Sequence, residues 1–379
     1  MEPYIFILII NLILSYIANI SYDKKYKLVS VLSISILVLV NVIFSGCRDF
    51  GVGIDTNVYI ESYFKTAADL QSIKAFWNVE GFDKGFLLLA YVSNLFSDDA
   101  QSLLVVTSLF IQVFFYVALW QYKKVHNVSI FVATLLFCVI FYCHTLNLMR
   151  QFCAISMLAF AFSLYVQGKK KSYLLLQVFA YFFHSTSIFF IFVPLIWDLS
   201  NMKNDRKKNT YAFFIVAGLL IFVFSFFTFT SILGDLNLLS EMYVDRYSNT
   251  GQYQVNGQTT TGGTGLGTLF SFVYPIAFIL YANYVKSVDK TIFFFIFLLC
   301  ICSSILQLLS FQVNFVNRIA FYLSFIMFIF LSKIFSSTRM NIAIKAIVIL
   351  LYIYNWYGVY IIGHGGDIYP YKSKILNVR

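Results

Sequence analysis

Three arginines stand inside apolar stretches or at their ends, where a permanent charge needs a partner. Arg48 follows one apolar run, Arg150 lies just inside a second, and Arg318 lies inside a third. An arginine at the middle of a bilayer costs about 2.5–3.5 kcal/mol on insertion scales, so it usually faces a cavity or a counter-charge. Three guanidinium groups that converge would bind a phosphate or pyrophosphate. The alternative is that each arginine separately anchors a helix end.

Proton transfer could involve a histidine or one of several carboxylates. His184 lies between aromatic and hydroxyl residues, and it could act as a general acid or base or bind an anion. Asp55, Glu80 and Asp83 are further candidates for the base, and the sequence does not choose among them. The four histidines are too scattered for metal-ligand spacing, and we predict neither a metal site nor another cofactor.

The elements that must position these residues are membrane-spanning helices. Of the 379 residues, 60% are hydrophobic and 12% charged, whereas soluble domains carry about 25% charged residues. We predict an all-α polytopic integral membrane protein, one transmembrane domain over residues 1–379, with about 10–12 helices of about 20 residues. The ten spans that we place lie at about 3–20, 28–45, 101–121, 128–144, 147–166, 210–230, 266–285, 291–309, 317–335 and 342–362.

The net charge of +10 is explained by membrane topology and predicts no nucleic-acid partner. Placing the lysine and arginine clusters in the cytoplasm puts loops at 46–84 and 231–265 on the outer face. The second loop ends in a run of small polar residues, which predicts a mobile lid. Residues 172–197 have basic clusters at both ends, which favours a re-entrant hairpin turning near His184. Ordinary tilted spans are the alternative.

Several short motifs occur in an order that resembles a known family. The segment Arg48–Tyr59 resembles the Arg-…-Val-Gly-Thr-Asp-…-Tyr signature of EpsG-type, Wzy-like polysaccharide polymerases, with Ile54 in place of Thr. Asp83-Lys84-Gly85-Phe86 resembles their Glu-x-Gly-Phe/Tyr element, with Asp in place of Glu. Other elements that resemble the family's are Leu148-Met149-Arg150-Gln151 with Ala154, His184-Ser185, and Arg318 with Tyr322.

This resemblance implies an enzyme of the bacterial cytoplasmic membrane that polymerises oligosaccharide repeat units linked to undecaprenyl pyrophosphate. The products of such enzymes are capsule, exopolysaccharide or O-antigen. The reaction would be a metal-independent glycosyl transfer onto an acceptor sugar hydroxyl at the outer face. The implied partners are the lipid-linked oligosaccharide, membrane lipid, and the flippase and chain-length regulator of the same pathway.

The motifs and the residue chemistry together give the expected site. The expected catalytic residues are Asp55, His184 and Arg150. The residues expected to bind pyrophosphate or glycan are Arg48, Arg150, Gln151, Arg318, Tyr322 and Asp83. Two other functions stay open. A membrane O-acyltransferase would use His184 as its base, and a lipid-linked glycan flippase would carry internal repeats, of which we find none.

Overall fold

The computed structural model describes residues 2–70, 73–225, 266–310 and 314–378. The loop predicted at 231–265 lies outside the described residues. Within them the chain is helical and forms no strand, which confirms the all-α prediction. The α-helices are α1 (Glu2–Asp23), α2 (Lys27–Gly46), α3 (Thr56–Tyr59), α4 (Lys65–Ala68), α5 (Ile73–Asn78), α6 (Lys84–Phe96), α7 (Gln101–His126), α8 (Ile130–Ile140), α9 (Tyr142–Asn147), α10 (Met149–Tyr165), α11 (Lys170–Phe183), α12 (Phe192–Ser200), α13 (Asp205–Phe224), α14 (Leu266–Tyr284), α15 (Lys290–Leu309), α16 (Asn314–Ser336) and α17 (Ile342–Trp356).

Six of the described helices are long and apolar enough to cross a membrane. They are α1, α2, α7, α15, α16, and α17 together with the π-helical turn Tyr357–Ile362 that follows it. Shorter apolar helices include α6, α8 and α10. Several apolar helices of spanning length make this a multi-pass membrane protein. Such helices suit a bilayer because they satisfy their own backbone hydrogen bonds in the absence of water.

The chain divides into two compact units. The first comprises Met1–Ile188 and Phe328–Arg379, and the second comprises Phe189–Met327. In the first unit, α7 packs against α2, α6 and α10, while α11 packs against α6 and α10. In the second unit, α12, α13 and α14 each pack against α15.

The N-terminal helix α1 exposes apolar side chains and buries polar ones, the reverse of a helix in a water-soluble protein. Its outward positions carry apolar side chains such as Phe6, Ile9 and Ile13, which are 64%, 50% and 54% exposed. Its buried face carries Asn11 and Ser15, spaced one helical turn apart. Apolar residues outside and polar residues inside are the pattern expected of a helix whose solvent is lipid.

Buried amides connect three of the helices. Asn11 of α1 and Asn41 of α2 exchange hydrogen bonds of 2.9 and 2.7 Å, and the Asn41 amide also lies 3.5 Å from the Gln112 carbonyl oxygen of α7. All three side chains are at most 1% exposed. An unpaired amide in this environment would be costly, so the network favours this pairing of helices over other registers.

Several helices begin where the sequence supplies a polar cap. Ser129 accepts a hydrogen bond from the N–H of Val132 at the start of α8. Asp289 accepts one from Ile292 at the start of α15. These oxygens pair with N–H groups that have no partner inside the helix, and they fix the residue at which each helix begins.

We predict that Asn41→Ala lowers stability by about 1–2 kcal/mol, because it removes the donor to the side-chain carbonyl oxygens of Asn11 and Gln112. Thermal unfolding of the purified protein in detergent would measure the loss. Ser33→Ala is the matched control, since the Ser33 hydroxyl donates to the Val29 carbonyl within its own helix. Equal stability of the two variants would contradict a role for the network.

Candidate active site

An ion pair joins Arg150, in the first turn of α10, to Asp83, the residue before α6. Arg150 Nη1 donates to Asp83 Oδ2 over 2.6 Å and to the Tyr63 hydroxyl over 2.8 Å. His184 Nδ1 lies 4.0 Å from the same Asp83 oxygen. We call Arg150, Asp83, His184, Tyr63 and Tyr59 the Arg150 cluster. It joins two of the expected catalytic residues to an expected binding residue.

Two tyrosines form an aromatic wall for the Arg150 guanidinium. The Arg150 Cζ atom lies 5.4 Å from the ring centroids of both Tyr59 and Tyr63, within cation–π range. The Tyr63 hydroxyl also accepts a hydrogen bond of 3.3 Å from the Asp83 N–H. Burial raises the pKa of this hydroxyl, and the Arg150 charge opposes that rise. Tyr63 therefore fixes the guanidinium and the Asp83 backbone together.

The cluster stays accessible although it is partly buried. The side chains of Arg150 and Asp83 are 29% and 24% exposed, and that of His184 is 11% exposed. Partial burial strengthens the ion pair relative to one on the surface, because fewer water molecules screen it. A ligand can therefore reach the cluster, and its polar groups would meet a preorganised set of charges.

The Asp83 carboxylate does not cap its own helix. Asp83 occupies the N-cap position of α6, with φ −67° and ψ 108°, but its side chain makes no capping hydrogen bond. An aspartate at this position usually accepts a hydrogen bond from the first turn, which stabilises a helix by about 1 kcal/mol. Here the carboxylate bonds to Arg150 instead. Local helix stability is given up for the ion pair, as is common at functional sites.

The glycine and phenylalanine after Asp83 set the distance between α6 and α11. A Cβ atom on Gly85 would lie 2.8 Å from the Phe183 ring, so only glycine allows this approach. Phe86 is fully buried, and its ring centroid lies 5.3 Å from that of Tyr59 and 5.1 Å from that of Tyr63. The segment therefore places Asp83 beside the end of α11 and supports the tyrosine wall.

His184 lies at the turn between two helical segments. Helix α11 ends at Phe183, and a 3₁₀ helix, Ser185–Ile191, follows directly. The His184 backbone is extended, with φ −163° and ψ 119°, and its carbonyl accepts the Ser187 N–H over 2.9 Å. Helix α11 therefore ends where the turn of the 172–197 hairpin is expected. The re-entrant hairpin itself stays a prediction.

The side chain of Arg48 is buried among backbone carbonyls. It is 1% exposed. Its guanidinium donates to the carbonyl oxygens of Ser45, Val52 and Leu146, and to the Met149 sulfur over 3.4 Å. Burial lowers the pKa of Arg48 to about 10, which still leaves it charged at neutral pH. This arrangement favours a positioning role, and the expected contact with substrate stays a prediction.

The C-terminal segment 364–378 holds the loop that carries Arg48. The N–H of Asp49 donates to the Lys372 carbonyl over 2.8 Å, and that of Gly53 donates to the Asp367 carbonyl over 3.0 Å. The Tyr371 hydroxyl donates to the Phe44 carbonyl over 2.7 Å. Gly53 has a φ of +97°, which only glycine adopts readily. The loop therefore depends on residues more than 300 positions away in the sequence.

The other expected site residues are Asp55, Gln151, Arg318 and Tyr322. Asp55 is half-buried, and its N–H donates to the Asn147 side chain over 2.9 Å. Gln151 is 2% exposed beside Arg150 in α10. Arg318 and Tyr322 belong to the second unit, where Tyr322 is fully buried and its ring centroid lies 6.5 Å from that of Phe190. Convergence of the three arginines stays a prediction.

Sequence reasoning missed Tyr63 and the C-terminal segment as parts of the site. Tyr59 and Tyr63 lie one helical turn apart, which is the signal for a shared face. In a chain with 27 tyrosines that signal is weak. The C-terminal segment has no apolar periodicity, and its contacts are mostly made by backbone groups, which leave no pattern in the sequence.

Comparison with known proteins identifies the family. The family model described as EpsG family matches residues 31–373. The chain belongs to the EpsG family. This family includes Wzy-like polysaccharide polymerases, which supports a polymerase-like role in general. No curated protein and no solved structure gives a significant match.

We predict that Gly85→Ala lowers activity about 100-fold, because the added methyl group meets Phe183 and moves Asp83 away from His184. A displacement of about 1 Å at a catalytic group can have an effect of this size. Glycan elongation by the purified variant would measure it. Gly51→Ala is the matched control, since a Cβ atom at Gly51 would have, apart from its chain neighbours, no atom of the described residues within 4 Å. Full activity of Gly85→Ala would contradict the proposed close approach.

We predict that Arg48→Lys destabilises the loop, because an ammonium group cannot reach three carbonyls in different directions. Faster trypsin cleavage and a lower unfolding temperature in detergent would show this. Arg339→Lys, at an exposed position, is the control. If Arg48→Lys is as stable as the wild type and loses only substrate affinity, Arg48 contacts the substrate and the positioning role is wrong.

Proposed function

We propose that the protein polymerises oligosaccharide repeat units linked to undecaprenyl pyrophosphate at the outer face of the bacterial cytoplasmic membrane. The growing glycan is transferred from its lipid carrier onto a sugar hydroxyl of the incoming unit. A flippase and a chain-length regulator act beside it in the same pathway. The observation that carries the proposal is the Arg150 cluster, in which an arginine, a carboxylate and a histidine meet in a member of the EpsG family.

The proposed reaction forms one C–O bond and breaks another. The acceptor hydroxyl oxygen attacks the anomeric carbon of the donor glycan. The bond from that carbon to the pyrophosphate oxygen breaks, and its electron pair stays on the pyrophosphate. The hydroxyl proton passes to a base on the protein. The step therefore needs a proton acceptor on one side of the anomeric carbon and positive charge on the other.

We assign the proton acceptor to His184. Asp83 Oδ2 already accepts a hydrogen bond from the Arg150 guanidinium, so this oxygen is engaged in the ion pair. The same carboxylate, 4.0 Å from His184 Nδ1, would stabilise the imidazolium that forms when His184 takes the proton. A carboxylate supports a histidine base in this way in other enzymes. Asp55 is the alternative base.

We assign charge compensation to arginine side chains. Arg150 is fixed between Asp83 and the two tyrosines, so little reorganisation is needed when negative charge develops near it. Arg318 is proposed to bind the lipid pyrophosphate, and Gln151 and Tyr322 are proposed to line the substrate site. The proposal requires no metal, since fixed guanidinium groups can neutralise the leaving group.

We predict that Arg150→Ala abolishes elongation while the protein still inserts and accumulates, because Asp83 loses its partner and the site loses its charge. The measurement is elongation of a purified lipid-linked repeat unit, with products separated as a ladder. Arg339→Ala serves as the control at an exposed position. Long chains made by Arg150→Ala at the normal rate would remove the central assignment.

The same assay identifies the base. Removal of a general base typically lowers the rate by about 10²–10⁴-fold, so we expect this loss in His184→Gln and a small change in Asp55→Asn. His126→Gln controls for replacement of a histidine outside the cluster. The reverse pattern would transfer the role to Asp55. Ladders that persist in the presence of a chelator would support charge compensation by arginine, and ladders lost on chelation would contradict it.

A further inference from the structure

An apolar crevice of about 340 Å³ lies within the second unit. Helices α12, α13, α15 and α16 form its walls. The side chains that line it are apolar and include Phe192, Phe214, Leu306, Ile319 and Leu323. Gly218 also lines it, and a Cβ atom added there would meet no other atom within 4 Å. The space beside Gly218 is therefore open among the described residues.

The crevice lies in one half of the helix packing. Helices α13 and α15 start at the same end, because Lys208 Nζ lies 5.1 Å from the Phe294 ring centroid near the start of α15. Gly218 is ten residues beyond Lys208, which is about 15 Å along a helix. Leu306 is similarly far from Phe294. The crevice is therefore remote from the basic end of these helices, which the charge rule places in the cytoplasm.

Arg318 lies at the level of the crevice. It directly precedes Ile319, one of the lining residues, and it stands in the second turn of α16, which begins at Asn314. The N-terminal end of a helix carries partial positive charge, which adds to that of a guanidinium. The crevice therefore lies away from the basic ends of α13 and α15. A cationic residue, Arg318, stands near the start of α16, which forms one of its walls.

We propose that this crevice holds the polyisoprenoid chain of the lipid-linked substrate, with the diphosphate at Arg318. This inference rests on the proposed function and adds a place for the lipid. A lining without charged groups suits a hydrocarbon chain, and the adjacent guanidinium suits a phosphate-bearing head. The volume holds only part of such a chain, so the crevice takes the isoprene units next to the diphosphate and the remainder extends into the bilayer.

Photolabelling tests the lipid site without requiring turnover. The probe is a polyisoprenyl diphosphate with a benzophenone near its head, added to the purified full-length chain in lipid nanodiscs. We expect labelled peptides from α13, α15 or α16. Unlabelled polyisoprenyl diphosphate should suppress the labelling, and phosphatidylglycerol should not. Labelling confined to other helices, or equal competition by phosphatidylglycerol, would overturn the proposal.

A tryptophan at position 218 tests occupancy of the crevice. Gly218→Trp should fill the open space and reduce labelling at least about tenfold, which corresponds to about 1.4 kcal/mol of binding. Gly358→Trp is the matched control, since a Cβ added at Gly358 likewise meets nothing beyond its own helix backbone in the part of the chain that the structure describes, and Gly358 lies in the first unit. Labelling of Gly218→Trp at the wild-type level would overturn the proposal.

Kinetics separate this inference from the proposed function. In the elongation assay, Gly218→Trp should raise the KM for a long-chain substrate about tenfold and leave that for a substrate with a short lipid unchanged. Arg318→Lys should raise the KM for both, because both carry the diphosphate. An unchanged KM for the long-chain substrate in Gly218→Trp would overturn the crevice proposal alone. Specific crevice labelling in a protein that elongates no glycan would overturn the proposed function alone.

Discussion

A guanidinium buried away from water must find acceptors for its N–H groups, and at Arg48 this requirement organises the surrounding chain. The acceptors come from the end of α2, from the following loop and from the end of α9. An arginine buried without them would cost several kcal/mol, so the three segments can pack only in an arrangement that supplies all the carbonyls. Arg150 follows Leu146 by four residues, and its position is a consequence of this arrangement.

The Arg150 cluster combines a strong electrostatic interaction with locally unfavourable choices. Asp83 leaves its helix uncapped, Gly85 lacks a side chain that would support its helix, and an arginine sits inside an apolar element. Each choice lowers local stability by itself. Together they bring a cation, an anion and an imidazole into one partly buried place, where their mutual interactions are stronger than they would be in water. The cluster thus contains residues that destabilise their own helices. The amide network of α1, α2 and α7 differs, because its contacts stabilise the packing.

The sequence predicts the helices well because one physical constraint, the absence of water in the bilayer, controls their composition and length. It also identifies Asp83, Arg150 and His184 as individual candidates. It does not identify their pairing, because an aspartate before a helix ordinarily caps that helix, whereas the Asp83 carboxylate bonds to Arg150 of α10, a contact between residues far apart in the sequence. Arg48 shows the opposite case. The charge of Arg48 suggests that it binds a ligand. Its hydrogen-bond partners are instead mainly backbone carbonyl oxygens, which no residue pattern reveals.

The C-terminal segment has a consequence for how the protein is made. Its backbone groups hold the loop that follows α2, yet they are synthesised after all the α-helices that the structure describes. The loop can therefore reach its final form only after segment 364–378 has been made and has packed against it. Nascent chains would carry an unfinished site throughout insertion, so premature contact with substrate during biogenesis would be unproductive.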